Sequence, residues 1–304
     1  MARDELPAAP ADGLNGATRL RPLDELPAGA WSGIRGIFTD IDDTLTTEGA
    51  ITADALQALA ELKAVGLHVI AITGRPVGWS EPLAARWPVD AIVAENGAVA
   101  LCRTGAQPPT EDFRSEITPR SPSSNRFQLS KLYQVDAPAR ARQFERLQQV
   151  AARVLRDVPG TTLARDSAGR ETDIAIDHGE FTHLSAVQIE QVLAVMQAEG
   201  LNASVSSIHV NGWIGAHDKW QGACWIAREL LGIDLAADIA RWVCVGDSTN
   251  DQVMFEHFTH SVGVANIARF AAQLRHPPRW VTRGERGAGF AELARRLLAD
   301  QGVV

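Results

Sequence analysis

Gly36-Ile37-Phe38-Thr39-Asp40-Ile41-Asp42-Asp43-Thr44-Leu45-Thr46 is an apolar run that ends abruptly in acidic residues. The run reads as a buried strand, and Asp40 and Asp42 stand at its mouth. Like charges that close repel, and each must be neutralised or solvated. Packing gives no reason to place them there, whereas a divalent cation together with a phosphoryl group would.

Three further apolar runs end the same way. His68-Val69-Ile70-Ala71-Ile72 leads into Thr73-Gly74-Arg75, Ala91-Ile92-Val93-Ala94 into Glu95-Asn96-Gly97, and Arg241-Trp242-Val243-Cys244-Val245 into Gly246-Asp247-Ser248-Thr249-Asn250-Asp251. Between them lie helical patterns. Leu56, Leu59, Leu62 and Val65 form one stripe over residues 52–65, with Gly66 as a stop signal, and a Trp-containing helix runs to about Trp87. Residues 219–231 read as another helix, followed by a last strand over 261–264 and a C-terminal helix from about Phe290. Strand-helix alternation of this kind specifies an α/β fold with a Rossmann-like parallel sheet covered on both faces.

The alternation is interrupted. Residues 103–125 are dense in Pro, Ser, Thr and Gly and read as loop and hinge. Beyond them the pattern is helix (138–158), strands (161–164 and 172–176), helix (184–199) and strands (203–206 and 207–210). Helix-strand-strand written twice predicts an inserted α+β module, an αββαββ cap. The expected division is therefore a poorly ordered or loosely docked extension over 1–30, a core domain from 31–111 and 212–304, and a cap over 112–211. Leu20, Leu23 and Leu26 are candidates to cover the edge of the core.

Composition narrows the function classes. The chain has 304 residues, 45% hydrophobic content and a formal net charge of −8. No apolar run reaches the roughly 18–20 residues of a membrane span, so no membrane association is expected. The negative charge argues against nucleic acid as a partner, because that binding rests on Lys and Arg neutralising phosphates. Cys102, Cys224 and Cys244 fit neither a disulfide framework nor a zinc site, and a cytoplasmic location is expected.

In an open parallel sheet, ligands bind beyond the carboxyl ends of the strands, where the strand order reverses. Asp40, Asp42, Thr73, Lys219, Asp247 and Asp251 all fall at strand ends or at a helix start. Carboxylates suit Mg²⁺, and a hydroxyl with an ammonium suits a phosphate. In these four motifs, their order and the long insertion between the second and third, the chain resembles the haloacid dehalogenase superfamily of phosphohydrolases, in the Cof-like subfamily IIB, over residues 33–298.

The resemblance implies an aspartyl-phosphate mechanism with Asp40 as nucleophile and Asp42 as general acid and then base. It implies that Thr73 and Gly74 hold the phosphoryl oxygens and that Lys219 neutralises both the phosphate and Asp40. The cofactor would be Mg²⁺, held by Asp247, the Asp40 side chain and the Asp42 backbone carbonyl, with Asn250 and Asp251 holding waters or the loop. Two positions depart from the family pattern. Asp43 stands where Gly is usual, and Asp tolerates unusual backbone angles; Asp218, beside Lys219, is placed to pair with it.

The cap should exclude water and contact the leaving group. Arg165, Arg170, Asp173, His178, His209 and Asn211 are the cap candidates, with Arg75 and Asn96 from the core. Trp213 and Trp220 read as core or hinge packing rather than as a stacking platform. The expected partner is a small phosphate ester, a sugar or sugar-acid phosphate above others. A phosphomutase on the same scaffold needs the same Asp42, so the motifs do not separate it from a phosphatase. A catalytically silent phosphate-binding regulator is the non-enzymatic alternative. A halide-releasing hydrolase would not need the second aspartate or the acidic loop.

Overall fold

Successive side chains of a strand point to opposite faces of its sheet, and the central apolar runs are divided in this way. Ile37, Val69, Ala71 and Ile92 enter one core, while Phe38, Ile70, Ile72 and Val93 enter a second on the other face. The structure is a computed structural model that describes residues 20–104 and 128–302.

In chain order the elements are β1 (Gly36–Thr39), β2 (Thr46–Thr47), β3 (Ala50–Ile51), α1 (Ala53–Ala64), β4 (His68–Ile72), α2 (Val77–Ala84), β5 (Ala91–Ala94), β6 (Val99–Thr104) and β7 (Gln128–Tyr133). There follow α3 (Ala137–Asp157), β8 (Thr162–Leu163), β9 (Asp173–Asp177), α4 (Ala186–Ala198), β10 (Asn202–Val205) and β11 (His209–Trp213). The chain closes with α5 (Lys219–Leu231), β12 (Trp242–Gly246), α6 (Gln252–His257), β13 (His260–Gly263), β14 (Trp280–Val281) and α7 (Arg286–Asp300).

The large sheet has the order β14-β13-β12-β1-β4-β5-β6-β7. It is parallel from β14 to β5 and antiparallel where β6 and β7 are added. Helices α1, α2 and α7 cover one face through Leu59, Val77 and Leu293, and α5 and α6 cover the other through Ile226 and Phe255. A separate four-stranded antiparallel sheet, β10-β11-β9-β8, carries α3 and α4 over a core of its own that includes Leu147, Val154, Ile176, Val192 and Val210. This is the α/β architecture with an inserted α+β cap.

Several local expectations are corrected. Gln128–Tyr133 falls within the range expected for the cap, yet β7 pairs with β6 as an edge strand of the large sheet. Arg103 and Thr104, expected in a loop, end β6; the rest of that loop and the expected boundary at 112 lie outside the described residues. Ser206–Ile208, expected in strands, forms the turn between β10 and β11, where Ser206 Oγ accepts from the Ile208 and His209 N–H groups. Residues 1–19 of the expected extension are likewise outside the described residues. Leu23 and Leu26 are buried, and the Arg21 carbonyl accepts from the Val281 N–H of β14, so this part of the extension is docked.

Candidate active site

Strand order reverses at β1, which lies between β4 and β12. Asp40 follows β1 and Asp247 follows β12, and the Asp40 N–H donates to the Val245 carbonyl at 2.9 Å. Both acidic clusters therefore reach the same crevice. After Asp40 the chain turns back on the Ile41 carbonyl, which accepts from the N–H groups of Thr44, Leu45 and Thr46. Asp43 adopts φ 53° in this turn, the left-handed conformation for which glycine is usual, and its N–H donates to Thr46 Oγ1.

Lys219 opens α5 and is 2% exposed. Its Nζ donates to Asp40 Oδ1 at 2.6 Å and to Asp251 Oδ1 at 2.7 Å. Asp218 does not compete for it: its side chain caps α5 by accepting from the Gln221 N–H. The start of α5 is seated on Gly97, whose φ is 110° and where a Cβ would stand 2.4 Å from the Asp218 carbonyl oxygen. Only glycine permits that approach.

Asp40, Asp247 and Asp251 are buried, with one carboxylate oxygen of each lying within 4.8 Å of the others. Three carboxylates around one ammonium leave an excess of negative charge. Burial raises the Asp40 carboxyl to about 7, with Lys219 opposing and Asp251 and Asp42 adding to the rise. Burial, then Asp40 and Asp251, raises Asp247 well above the usual carboxylate range. Burial works against the Lys219 charge, but Asp251 and Asp40 reverse this and raise its pKa.

The donor set fits a hard divalent cation. Asp251 is fully engaged, since Oδ1 accepts from Lys219 and Oδ2 from the N–H groups of Asp247 and Ser248. It holds the loop. Asp247 accepts from Asn266 Nδ2 through Oδ2 at 3.0 Å, while its buried Oδ1 has no partner. Asn266 Nδ2 also donates to the Asp43 carbonyl, tying the two acidic loops together. Sequence reasoning missed Asn266, a lone Asn beyond the last expected strand with no motif around it.

Thr73 follows β4, is buried, and accepts from the Arg75 N–H through Oγ1 at 3.0 Å. The Gly74 carbonyl accepts from Arg170 Nη1 and Asn211 Nδ2 of the cap, and a Cβ on Gly74 would stand 2.4 Å from Asn211 Nδ2. Arg75 spans both layers. Its Nε and Nη2 donate to Asp42 at 3.0–3.1 Å, its Nη1 to Asp166 at 3.0 Å, and its Nη1 and Nη2 to Glu180 at 3.2 and 2.9 Å. Glu180 also contacts His209 Nε2 at 3.1 Å. Burial opposes ionisation of Glu180, but hydrogen bonds from His209 and Arg75 outweigh it and hold the carboxyl at about 2.

Cap and core thus meet over the crevice and leave a cavity of about 10 Å³, room for about one water. Asp40, Asp42, Thr73, Gly74, Asp247 and Asn250 line it from the core. Of the eight candidate substrate contacts, Arg75, His209 and Asn211 line it. The other five do not. Arg170 and Asp173 form a buried pair at 2.7 Å, Asn96 Nδ2 donates to Asp173, His178 Nε2 meets the Ser206 carbonyl, and Arg165 lies exposed over the Phe181 ring. Ser206, Ser207 and Ile208 line the cavity from the turn that was expected to be strand. Asp166 and Glu180 were also missed, because isolated acidic residues in cap loops carry no sequence signal. Trp213 and Trp220 are buried, Trp213 donating to the His217 carbonyl and Trp220 stacking on His257.

Residues 37–111 match the family model of haloacid dehalogenase-like hydrolases. Over those residues the chain is similar to that family. A protein of Thermoplasma acidophilum superposes with a TM-score of 0.61 at 15% identity, over 88% of this chain and 99% of that one. The sucrose-phosphatase of Synechocystis, solved with sucrose and phosphate, gives 0.58 at 14% identity over 87% and 98%. A subclass IIB sugar phosphatase of the superfamily gives 0.54 at 15% identity over 89% and 100%. At these identities the likeness is one of fold, core and cap together. No curated protein matches the chain significantly in sequence. Among the described residues, no helix is long and apolar enough to cross a membrane.

Proposed function

We propose that this protein is a haloacid dehalogenase-like, Mg²⁺-dependent phosphatase that hydrolyses a small phosphate monoester, a sugar or sugar-acid phosphate, through an aspartyl-phosphate on Asp40. The observation that carries the reading is the pairing of Lys219 with Asp40 beside the partnerless Asp247 Oδ1, at the point where strand order reverses. The sugar-phosphatase neighbours of the same two-layer fold support the substrate class.

Asp40 and Asp247, with the Asp42 backbone carbonyl, would hold Mg²⁺, which when bound balances the charge of the carboxylates and of the phosphoryl group. An Asp40 oxygen attacks phosphorus and the ester P–O bond breaks, with Asp42 giving its proton to the departing oxygen. Water then attacks the aspartyl-phosphate, Asp42 takes the proton, and the bond from phosphorus to Asp40 breaks to release inorganic phosphate. Lys219 fixes the Asp40 carboxylate and offers positive charge to the phosphoryl oxygens, with Thr73 Oγ1 and the Gly74 backbone close by. Asp42 is held by Arg75 and must leave it to reach the ester oxygen.

The test is phosphate release from p-nitrophenyl phosphate and from sugar phosphates. We expect release only with Mg²⁺ and none from Asp40→Asn. Equal release in excess chelator or by Asp40→Asn would sink the reading, and phosphate retained on the sugar at a new position would point to a phosphomutase.

A further inference from the structure

We propose that Asp43 is a positioning residue whose carboxylate seats the Ser206–Ile208 turn of the cap over the crevice. Asp43 holds a left-handed backbone at φ 53°, which glycine adopts without the steric cost that a Cβ brings. A side chain kept in such a place requires a compensating role. Its carboxylate has two partners. Arg286 Nε lies 3.0 Å from Oδ1, and the Ser207 hydroxyl, reaching down from the turn between β10 and β11, donates to the same carboxylate. Ser207 lines the cavity together with Asp42, so the contact lies at the rim of the site.

The same turn rests on the second acidic loop. Thr249 Oγ1, from the loop that follows Asp247, donates to the Val205 carbonyl at the end of β10 at 2.6 Å. The two supports are joined to each other. Asn266 Nδ2 donates to the Asp43 carbonyl and to Asp247 Oδ2, and Asn266 Oδ1 accepts from the Arg286 N–H at 2.9 Å. The turn is therefore docked on one frame built from both acidic loops and the start of α7. At the other end of the cap sheet, where Asp173 stands opposite Trp213, the attachment is of a different kind. Buried Glu95 accepts there from the Glu171 and Thr172 N–H groups, from Thr172 Oγ1 and from the Val77 N–H. Beside it Gly78 meets Gly169 so closely that a Cβ on Gly78 would stand 2.9 Å from the Gly169 Cα. A buried carboxylate filled with donors, together with a backbone contact, makes a fixed end. The turn end is held by two hydroxyls and by the Arg75–Glu180 pair beside them, and it is the end that can be released.

The experiment is amide hydrogen exchange read by mass spectrometry on the full chain in Mg²⁺, comparing the wild type with Asp43→Gly, Ser207→Ala and the double variant. Glycine suits the backbone at position 43, so Asp43→Gly keeps the fold, and Ser207→Ala leaves the Arg286 ion pair intact. Each single change should speed exchange over residues 205–209 at least about fivefold and leave residues 171–174 unchanged. The double variant should be no faster than the faster single one, because both changes remove one contact. Unchanged exchange over 205–209, or effects that multiply in the double variant, overturns the proposal. Its consequence for turnover rests on the phosphatase reading: a turn less often seated lowers the fraction of protein closed over the ester, so the loss should fall mainly on KM. A loss confined to kcat would place Asp43 in the chemical step and overturn the positioning role. If the wild type releases no phosphate, the phosphatase reading fails, while the exchange comparison still decides the seating.

Discussion

The guanidinium of Arg75 holds both carboxylate oxygens of Asp42 at 3.0–3.1 Å, so the residue proposed as acid and base is tied to the residue that fastens the cap. Arg75 reaches Asp166 and Glu180 from the same planar group. The residue that holds Asp42 within the core is thus the same one that ties the core to the cap.

Removing that link should loosen the cap. For Arg75→Ala we expect a larger radius of gyration by small-angle scattering, together with a loss in kcat/KM of at least about 30-fold, since truncating a buried charge pair costs roughly 2–5 kcal/mol. Arg75→Lys should be intermediate, because an ammonium cannot satisfy three carboxylates in a fork. Identical scattering from variant and wild type would show that the cap is held by other contacts.

The crowding of Asp40, Asp247 and Asp251 predicts a stability response to metal. Mg²⁺ at about 100 times its Kd should stabilise the fold by about 2.7 kcal/mol, raising the thermal midpoint by several degrees. Asp247→Asn should abolish the rise and leave the metal-free protein at least as stable as the wild type. Calorimetric scans with and without Mg²⁺ read both outcomes.

Lys219→Met leaves Asp40 and Asp251 buried without their cation. A loss of about 3–5 kcal/mol is expected by urea unfolding. Adding Asp251→Asn to that variant should recover part of the loss, because the two sites share one interaction.

Gly222 faces Gly97 across the seat of α5, where a Cβ on Gly222 would stand 2.5 Å from the Gly97 Cα. Gly→Ala inside a helix ordinarily stabilises by about 1 kcal/mol. Here the obstacle is backbone, and the sign should reverse to a loss of about 1–3 kcal/mol, read by thermal unfolding.

Burial lowers the His217 imidazole to about 4, from an ordinary value of 6.5. Between those values the unfolded chain takes up the proton and the folded one does not. His217 thus costs no stability above pH 6.5, and its cost grows as pH falls towards 4, reaching roughly 3 kcal/mol over the window. His217→Phe should flatten the acid side of the stability profile by about that amount; an unchanged profile would show that His217 takes up its proton equally in the folded and unfolded chain.

The strands that carry the acidic clusters were legible because buried parallel strands are continuous apolar runs, and β4 and β5 coincide with the expected spans. The helix at Lys219 was legible for a similar reason, but Asp218, expected to pair with Lys219, caps the helix instead. β6 and β7 were not, because Val99–Thr104 follows Gly97 almost at once and its partner lies across a Pro- and Ser-rich stretch. Arg75 was weighed as a substrate contact, and nothing local in the chain signals that two cap carboxylates would reach it. Arg170 and Asp173 were expected to face the substrate, yet they neutralise each other beneath the cap sheet. Such pairings depend on tertiary distance, which motif spacing does not encode.

β1 is hydrogen-bonded on one side to β4, the next long strand, and on the other to β12, which follows only after the whole cap. During synthesis the first half of the sheet and the cap can form while the edge of β1 still waits for its second neighbour. Neither Lys219 nor Asp247 has then been made. The nascent chain would therefore carry Asp40 without the groups that tame its charge, and the reactive centre should appear late and abruptly, as the C-terminal third leaves the ribosome.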